Sequence, residues 1–568
     1  MKANETTLRE ILDGSRQYIV PLFQRPYSWK QPNWKLLWND LTDLYLEDSS
    51  ENAVHFFGPI VIQNVPEPPL KISAHILIDG QQRLTTLSIL IAALRDCAKI
   101  SYREESMVSS ELHDFLTNRY GQGDSKLKIL PTQIDRPAYK TVVHGTDGES
   151  NGLIKEAYEF FCSSIKDAEK DPEMRLDIER FSTLILSGIS LVNILLDKND
   201  DPYLIYESLN YKGEPLSQAD LIRNHLFMKL DSSVHDQIYA DRWLPIEKRF
   251  KHNANKDYLK EMTLSFWYYL RKMGRAVNQK LIYQNLKSEV DRDTGISILG
   301  KLDDLLRFSN YYLRIHFPNN EEKVTEIRNW FEHFKELKLT SYYPFLLNIF
   351  HDYESGYITL KDFVEILEIL ESYAVRRWIC GVPSSPLNKT FIALYQQIIK
   401  NSPVVTPSGV RSKLASFDRT QRWPTDEELR QNIIERPLYG DAFDGRKRVK
   451  FVLQRIQERF SKEIVDFSNL NIEHVLPQKL TPSWRSVLGS DADVMHRQWS
   501  DVLGNLTLVV GSENSEMSNH SFAEKLKFLR NSNLAINKYF YNLKKWDHTQ
   551  IQKRGEHLAE QAIAVWPR

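Results

Sequence analysis

The chain has 568 residues, which is too long for a single hydrophobic core, so its length predicts about three domains. Hydrophobic residues make up 42% and charged residues 26%, as in folded proteins, and the formal net charge of −1 excludes a globally basic nucleic-acid binder but not local basic faces. The three cysteines, Cys97, Cys162 and Cys380, form no CxxC pair, which excludes a disulfide framework and a zinc site of that kind.

The N-terminus has no apolar signal core. The longest apolar run, residues 184–196, is too short and too polar to span a bilayer. We therefore expect a soluble cytoplasmic protein that does not contact a membrane.

The first predicted elements are a helix over residues 7–13 and a strand over residues 18–21. The motif FQRPYSW follows at residues 23–29, where the proline forces Arg25 into an extended conformation. Gln24 and Arg25 can then stand out as polar donors among aromatic rings; the alternative is a polar turn capped by surface aromatics. The next helix, over residues 34–45, carries an apolar stripe that we expect to face the core: Trp34, Leu37, Trp38, Leu41 and Leu44.

Two strands are predicted over residues 55–63 and 74–78, with a proline-rich connection between them. The second strand runs directly into the motif DGQQR at residues 79–83. A long helix with leucines at helical spacing follows, so it is expected to pack on the sheet.

The DGQQR motif places anion-binding chemistry at a strand-to-helix junction. Gly80 permits a tight turn, and the helix N-terminus offers free N–H groups and the positive end of the helix dipole. Asp79 can hold a metal ion or a ribose hydroxyl, and Arg83 can hold a phosphate. The Walker A pattern is absent. The alternative is an Asp-Gly turn in which Asp79 only caps the helix.

Residues 101–180 are predicted to be mostly helical, with a strand at residues 127–130. Two further strands are predicted over residues 182–186 and 189–196, because both runs are short and apolar. A helix, a turn at residues 210–213 and a second helix capped by Ser217 are predicted over residues 202–224.

Residues 236–400 carry a succession of helical patterns, and the segment 401–423, rich in Pro, Ser, Thr and charge, is typical of a domain boundary. We predict an N-terminal domain over residues 1–235, a helical connecting domain over residues 236–422 and a C-terminal domain over residues 423–568. Four cations within residues 446–450 begin a later helix. They can follow a phosphate backbone or form a solvated surface.

The main catalytic candidates lie in the C-terminal third. A short apolar run ends in Glu473-His474, Asn505 precedes a Leu-Thr-Leu-Val-Val strand, and Asn514 lies just beyond that strand. This order can build a one-metal phosphodiesterase site, since an imidazole can activate water while carboxylate and amide oxygens hold a divalent cation. A Glu-His pair alone is a weak signal.

With IEHVLPQ, LGNLTLV and the following Asn, the C-terminal third resembles the HNH-type nucleases of the ββα-metal class, especially their DUF1524 branch. The N-terminal half resembles DUF262, a ParB- and sulfiredoxin-like α/β domain, at FQRPYSW, FFGPIVI, IDGQQRLTTL and ESLNYKGEPLSQADLIRN. This order is that of the GmrSD family of type IV restriction enzymes, a layout that BrxU and the phosphorothioate-sensing SspE share. The resemblance implies an α+β multidomain fold with a helical middle.

In the C-terminal domain, the resemblance implies a role for each matching residue. His474 would be the general base that activates water. Glu473 and Asn514 would hold one divalent metal ion, Mg²⁺ or Mn²⁺, and Asn505 would hold the loop in shape.

In the N-terminal domain, the resemblance implies binding and hydrolysis of a nucleotide: GTP, ATP, UTP or CTP. Gln24 and Arg25 would lie near the same pocket or on the DNA-sensing surface. The nucleotide-binding box would consist of Asp79, Gly80, Gln81, Gln82 and Arg83.

We therefore predict an NTP-regulated, modification-dependent DNA endonuclease of bacterial anti-phage defence that cuts double-stranded phage DNA with hydroxymethylated or glucosylated cytosine. Two alternatives stay open: a phosphorothioate-sensing NTPase that nicks DNA, and a DNA-binding regulator without catalysis. The intact set Glu473, His474 and Asn514 argues against the second. The sequence does not determine which modification is recognised, which NTP is preferred or whether the chain forms a homodimer.

Overall fold

The computed structural model describes residues 2–21, 24–47, 54–65, 72–102, 107–146, 152–197, 200, 217–230, 234–292, 295–400, 402–440, 443–461 and 465–568. These residues form two compact units, Met1–Pro245 with Leu286–Leu302, and Ile246–Asn285 with Asp303–Arg568. The fold is mostly helical with two sheets, which confirms the predicted α+β class. The ParB-like and HNH-like character of its two ends stays a prediction.

The first unit contains a mixed sheet. Its strands are β1 (Lys2–Thr7), β2 (Arg16–Ile19), β3 (His55–Asn64), β4 (Ser73–Asp79), β5 (Ile129–Leu130) and β6 (Ile189–Leu196). Their order across the sheet is β1-β6-β3-β4-β2-β5. The pairs β3–β6, β2–β4 and β2–β5 are parallel, whereas β1–β6 and β3–β4 are antiparallel.

The α-helices up to residue 238 belong to the same unit. They are α1 (Leu8–Leu12), α2 (Gln31–Glu47), α3 (Gln81–Tyr102), α4 (Met107–Asp114), α5 (Arg136–His144), α6 (Leu153–Lys170), α7 (Ile178–Gly188), α8 (Gln218–Met228) and α9 (His235–Ile238). α3 is buried along nearly its whole length and packs against α4, α6 and α7. Because a helix buried on all sides cannot shift easily, the N-terminus of α3 is a firm support for the DGQQR motif.

One predicted strand is wrong. Residues 182–186 lie in α7, not in the sheet. The Asp177 side chain caps this helix by accepting the N–H of Arg180, and Ile178, Phe181 and Ile185 are fully buried at helical spacing. A short apolar run fits a strand or a buried helix equally well, and here the cap decides. The helix and turn predicted over residues 202–216 lie outside the described residues, while Ser217 caps α8 as predicted.

The helical patterns predicted after residue 236 are confirmed. The helices are α10 (Leu244–Ala254), α11 (Tyr258–Arg271), α12 (Ile282–Arg292), α13 (Ile298–His316), α14 (Pro318–Glu321), α15 (Thr325–Glu336), α16 (Tyr343–Glu354), α17 (Leu360–Ile379), α18 (Leu387–Ile399), α19 (Pro407–Ala415), α20 (Asp426–Glu435), α21 (Phe443–Phe460), α22 (Pro482–Leu488), α23 (Ala492–Trp499), α24 (Gly511–Met517), α25 (Phe522–Asn531) and α26 (His548–Val565). Strands β7 (Leu470–His474) and β8 (Leu506–Val510) pair with each other. Within the described part of the chain, no helix is long and apolar enough to cross a membrane.

The segment expected to be a domain boundary is folded over much of its length. α19 lies within it and packs against α17, with Val410 and Leu414 fully buried. Trp423, at the end of the segment, is 1% exposed. The second compact unit therefore runs through this segment, and the division into domains at residues 235 and 422 stays a prediction.

A buried carboxylate on α17 ties the C-terminus of the chain to the second unit. Oε1 of Glu371 accepts the Trp566 indole N–H at 2.8 Å, and Oε2 lies 2.8 Å from Nδ1 of His333. Burial acts to raise the pKa of Glu371, but the hydrogen bond from His333 and the charge of Arg455 outweigh it and hold that pKa below its ordinary value. The carboxylate therefore stays charged, and removing a partner would be costly.

Replacing Trp566 tests this anchor. Trp566→Ala removes a side chain that is 1% exposed, and we expect the free energy of unfolding to fall by about 3–5 kcal/mol. Urea unfolding followed by circular dichroism measures the change. Tyr357→Ala, which removes an aromatic side chain that is 65% exposed, is the control and should change stability by about 0.5 kcal/mol or less. Equal losses in the two variants would contradict the anchor.

Candidate functional site

The ladder between β7 and β8 carries the catalytic candidates. Glu473 pairs with Thr507, and His474 pairs with Leu506. Asn505 immediately precedes β8, and Asn514 lies in α24, which begins where β8 ends. The predicted order of strand, strand and helix is confirmed, and it places these candidates on one ladder and the helix that follows it.

Asn505 holds the chain just beyond His474. It is fully buried, and its Oδ1 accepts the backbone N–H of Leu476 at 2.7 Å and the indole N–H of Trp546 at 3.0 Å. Its Nδ2 donates to the carbonyls of Leu476 at 2.9 Å and Ser500 at 2.8 Å. Both ends of the amide are used by the protein, so the side chain positions the loop and is not free to touch a substrate.

The Asn505 turn is itself held by α26. Arg554, which is fully buried, donates from Nη1 to the carbonyls of Gly504 at 2.9 Å and Leu506 at 2.7 Å. A Cβ added to Gly504 would clash with the carbonyl oxygen of Ile551, so only glycine allows the two backbones to approach this closely. Two residues of α26, Arg554 and Ile551, therefore hold the turn in place.

Glu473 forms a buried ion pair with Lys525 of α25. The Lys525 Nζ lies 2.5 Å from Oε1 of Glu473 and donates to the His474 carbonyl at 2.7 Å. Burial raises the pKa of Glu473, and Lys525 opposes that effect. Burial likewise lowers the pKa of Lys525, and Glu473 opposes it. Each group thus favours the charged form of its partner in surroundings that disfavour charge.

The imidazole of His474 is held from two directions. Its Nε2 lies 3.2 Å from Oδ1 of Asp501. The ring of Tyr439 meets it edge to face, with 4.5 Å between the ring centroids. His474 is 7% exposed, so it is nearly enclosed but still open to a small reactant such as water. The arrangement gives the ring a fixed orientation, which proton transfer requires.

Asn514 lies beside β7, and its position decides whether a divalent cation fits. Its Nδ2 donates to the carbonyl of Ile472 at 2.9 Å. Because Ile472 directly precedes Glu473 in β7, the amide lies close to Glu473. Among the described residues, no group of three or more His, Cys, Asp or Glu side chains could hold a metal ion. One carboxylate and one amide oxygen nevertheless suit Mg²⁺, which usually keeps several waters and takes further ligands from substrate phosphates.

The DGQQR motif lies at the β4–α3 junction, as predicted. Gly80 has a φ of +92°, and a Cβ there would come within 2.7 Å of Cγ2 of Ile60, so glycine is required. Arg83 Nη2 lies 2.9 Å from Oδ2 of Asp79, and both side chains are partly exposed. The cation and the carboxylate thus stand together at the N-terminal turn of α3, whose first N–H groups have no partner within the helix.

Two glutamines connect the motif to the loop that carries Gln24. Nε2 of Gln24 donates to the carbonyls of Leu77 at 2.5 Å and Ile78 at 2.8 Å, at the end of β4. Oε1 of Gln82 accepts the backbone N–H of Ser28 at 2.8 Å. Oε1 of Gln24 is buried and accepts no hydrogen bond from the described residues. The two sequence motifs therefore meet in space and leave one buried acceptor for a ligand.

The structure places Gln24 and Gln82 at the β4–α3 junction. It places Glu473, His474, Asn505 and Asn514 on the β7–β8 ladder or directly beside it. Gln81 is 8% exposed beside this junction, and Arg25 lies on the same loop as Gln24. Sequence reasoning did not assign a role to Lys525 or Asp501, which contact Glu473 and His474. The resemblance of the C-terminal third to the DUF1524 branch extends along the sequence to Phe522 and Lys525 and could have suggested Lys525. Nothing in the sequence around Asp501 indicates its contact.

Comparison with protein families gives two matches. The model of the N-terminal domain of GmrSD restriction endonucleases matches residues 8–227, which include the β4–α3 junction. The model of the C-terminal domain of GmrSD restriction endonucleases matches residues 423–561, which include the β7–β8 ladder. A search of curated proteins finds no match.

Replacing Lys525 tests the buried ion pair through its dependence on pH. A raised pKa for Glu473 means that its contribution to stability is complete below its unfolded value of 4.5 and is lost as pH rises through the folded value. Lys525→Met should raise that pKa further, so the variant should lose little stability at about pH 5. At about pH 8 it should lose about 3–5 kcal/mol relative to the unsubstituted chain. Urea unfolding at several pH values measures both.

Lys545→Met is the matched control, since Lys545 is 70% exposed and lies 2.7 Å from Asp547. This substitution should lower the free energy of unfolding by about 1 kcal/mol or less at any pH in this range. Adding Glu473→Gln to Lys525→Met should restore much of the stability, because no buried charge is then left alone. A loss that does not vary with pH, or that the double variant does not repair, would show that the pair is not coupled.

Proposed function

Because the chain belongs to the GmrSD family of restriction endonucleases, we propose that it is a nucleotide-regulated enzyme that cuts modified DNA at the site of Glu473, His474 and Asn514. The family makes the chain a DNA endonuclease of the modification-dependent type IV class. The single observation that carries the assignment of the site is the contact between His474 and Asp501.

Asp501 prepares His474 to accept a proton. With Oδ1 of Asp501 3.2 Å from Nε2 of His474, the carboxylate favours the tautomer with its proton on Nε2. The lone pair is then on Nδ1, which can take the proton of the water that attacks the scissile phosphorus. As the new P–O bond forms, the bond to the leaving sugar oxygen breaks. Tyr439 restrains the ring during this transfer.

Glu473 and Asn514 would hold a divalent cation, Mg²⁺ or Mn²⁺, that supplies positive charge to the scissile phosphate and the leaving oxygen. Lys525 supports this role, because its ammonium opposes the effect of burial, which raises the pKa of Glu473. Asn505 takes no part in the reaction and holds the backbone of Leu476 beyond the base. This set of residues is the one-metal HNH arrangement that we propose.

The β4–α3 junction is proposed as the nucleotide site. The phosphates of GTP, ATP, UTP or CTP would meet the N-terminal N–H groups of α3 and Arg83, and Asp79 would hold a ribose hydroxyl or a metal ion. The buried, unpaired Oε1 of Gln24 supports a polar ligand here, since such an atom is costly to leave without a partner. Hydrolysis at this site would control the nuclease.

We propose double-stranded phage DNA with hydroxymethylated or glucosylated cytosine as the substrate, in the bacterial cytoplasm. Control by nucleotide and by base modification has a physical purpose, because a nuclease without it would cut the host genome. A homodimer is compatible with this proposal and is not required by it.

The central prediction concerns His474. His474→Ala should reduce cleavage by about 10²–10⁴-fold, the usual contribution of a general base, while leaving DNA binding unchanged. The measurement is digestion of unmodified, hydroxymethylated, glucosylated and phosphorothioated DNA with Mg²⁺, with and without each NTP. His548→Ala, which removes an exposed histidine of the same domain, is the control and should cut normally. Full cleavage by His474→Ala would overturn the site, and equal cleavage of modified and unmodified DNA would overturn the proposed substrate.

A second prediction concerns the nucleotide site. Arg83→Ala should weaken GTP binding by about tenfold or more, since a charge-assisted hydrogen bond to phosphate is lost. Isothermal titration calorimetry measures this directly. Arg119→Ala is the matched control, because Arg119 also pairs with a nearby aspartate, Asp114 at 2.7 Å, but is 73% exposed. If both variants bind nucleotide like the unsubstituted chain, the β4–α3 junction is not the nucleotide site.

A further inference from the structure

A cavity of about 250 Å³ in the second unit has an unusual lining. Its lining includes apolar residues such as Leu337 and Val382, together with Trp378 and three arginines, Arg377, Arg436 and Arg448. No residue of this lining carries a carboxylate. Three permanent cations thus line one small cavity, and none of the described residues of its walls is an anion.

Arg377 and Arg436 are both held by carbonyl groups, which are uncharged and do not neutralise them. Arg377 donates to the carbonyls of Arg422, Pro383 and Thr420, at 2.9, 2.6 and 2.9 Å. Its Nε is buried and has no partner among the described residues. These contacts fix the guanidinium group in place, and they do not use its buried Nε–H.

Arg436 and Arg448 offer more donors. Nη1 of Arg436 donates to the carbonyls of Trp378 at 2.9 Å and Ile379 at 2.7 Å, and its Nε and Nη2 have no acceptor in the described part of the chain. Arg448 lies over the ring of Trp378, 6.0 Å from its centroid, and pairs with no carboxylate of the described residues. Guanidinium groups arranged in this way suit the several oxygens of a phosphate.

Tyr342 gives a second, independent sign of a ligand. It lines the same cavity and is 0% exposed, and its hydroxyl has no hydrogen-bond partner among the described residues. A buried hydroxyl without a hydrogen-bond partner costs free energy, so a ligand oxygen that accepts a hydrogen bond from it would remove that cost. The cavity therefore offers donors on more than one side.

The cavity is linked to the catalytic histidine by a short stretch of chain. The segment that begins at Arg436 ends at Tyr439, whose ring contacts His474. The N–H groups of Leu438 and Tyr439 donate to the Asp501 carbonyl at 2.9 and 3.1 Å, which fixes the segment beside the site. Three residues of chain span at most about 11 Å, so Arg436 lies close to the base.

Helix α21 gives a second link. Arg446 lies over the ring of Tyr439, 5.4 Å from its centroid, and Arg448 reaches the cavity from the same helix. The basic run of residues 446–450 therefore extends from the catalytic histidine to the cavity. A nucleic-acid strand advances about 3.4 Å per nucleotide along its axis, so this separation corresponds to a few nucleotides.

We propose that the cavity of Arg377, Arg436 and Arg448 binds a phosphate of the DNA backbone a few nucleotides from the scissile phosphate. This inference rests on the proposed nuclease function of His474 and adds the contact that sets the register of the strand. A phosphate contact of this kind positions DNA without reading its sequence. It accounts for the place of Arg448 over Trp378, where the arginine pairs with no carboxylate of the described residues.

The test measures DNA affinity in the full chain carrying His474→Ala, so that the DNA stays intact. Fluorescence anisotropy with a short labelled duplex in EDTA, over a range of salt concentrations, gives both affinity and salt dependence. Arg448→Ala should weaken binding by about tenfold or more, the effect of losing a hydrogen bond to a charged group. It should also reduce the slope of log K against log salt by about 0.9, the value for one phosphate contact.

Two further variants make the result specific. Arg448→Lys should restore the slope but only part of the affinity, because an ammonium keeps the charge and lacks the planar fork. Arg459→Ala is the matched control, since Arg459 is an exposed arginine of α21 that lies about 16 Å further along the helix axis. It should leave both quantities unchanged.

Unchanged affinity and slope in Arg448→Ala would overturn the proposal, and so would an equal loss in Arg459→Ala. A weaker binding of GTP with unchanged binding of the duplex would assign the cavity to a free nucleotide phosphate and would also overturn it. Failure of the nuclease proposal is a separate outcome. It would appear as equal cleavage by the unsubstituted chain and His474→Ala, and it would not alter the anisotropy result.

Discussion

The candidate catalytic site lies on a two-stranded ladder that is not stable without support from other elements. β7 and β8 are five residues each, and an isolated pair of strands is marginally stable at best in water. Buried polar side chains from other elements fix the pair. Asn505 bridges to Leu476, Arg554 holds the carbonyl of Leu506, and Asn537 donates to the carbonyl of Leu508 at 2.9 Å. The geometry of the ladder is therefore set by side chains that lie outside it, and two of them, Arg554 and Asn537, are not catalytic candidates.

The buried side chains that support the β7–β8 ladder place positive charge in the interior. Lys525 and Arg554 are both fully buried, and backbone carbonyls take part of the role that water would have. Burial lowers the pKa of Arg554 to about 9, which shows how strongly the surroundings disfavour its charge. The same surroundings strengthen electrostatic interactions, so Glu473 is coupled tightly to its ammonium partner and to any cation that it holds.

The two candidate sites use one structural device. Near β4, the amide groups of Gln24 and Gln82 hold a loop against the end of a strand, as Asn505 does beside β7. A side-chain amide has both donors and an acceptor, so it can replace a pair of missing backbone partners. The difference is that Asn505 uses both ends of its amide, whereas Gln24 has a buried acceptor left over. That difference separates a residue that supports a site from one that can meet a ligand.

The sequence by itself determined the local elements and the types of chemistry. Periodicity and hydrogen bonds within a few residues predict the helices and caps such as Ser217. They also predict that Glu473 and His474 lie at the end of a strand. The misassigned run at residues 182–186 marks where this fails, since a run of five residues that ends in three apolar ones fits a strand or a buried helix until distant packing decides.

Only the tertiary structure decided which polar groups meet. Lys525 reaches Glu473 across 52 positions of the chain, and Asp501 reaches His474 across 27. The arginine cavity likewise combines α17, α21 and the segment after α20. The physical reason is that an element forms from contacts between near neighbours, whereas a buried ion pair or a cavity exists only after every surrounding element has packed.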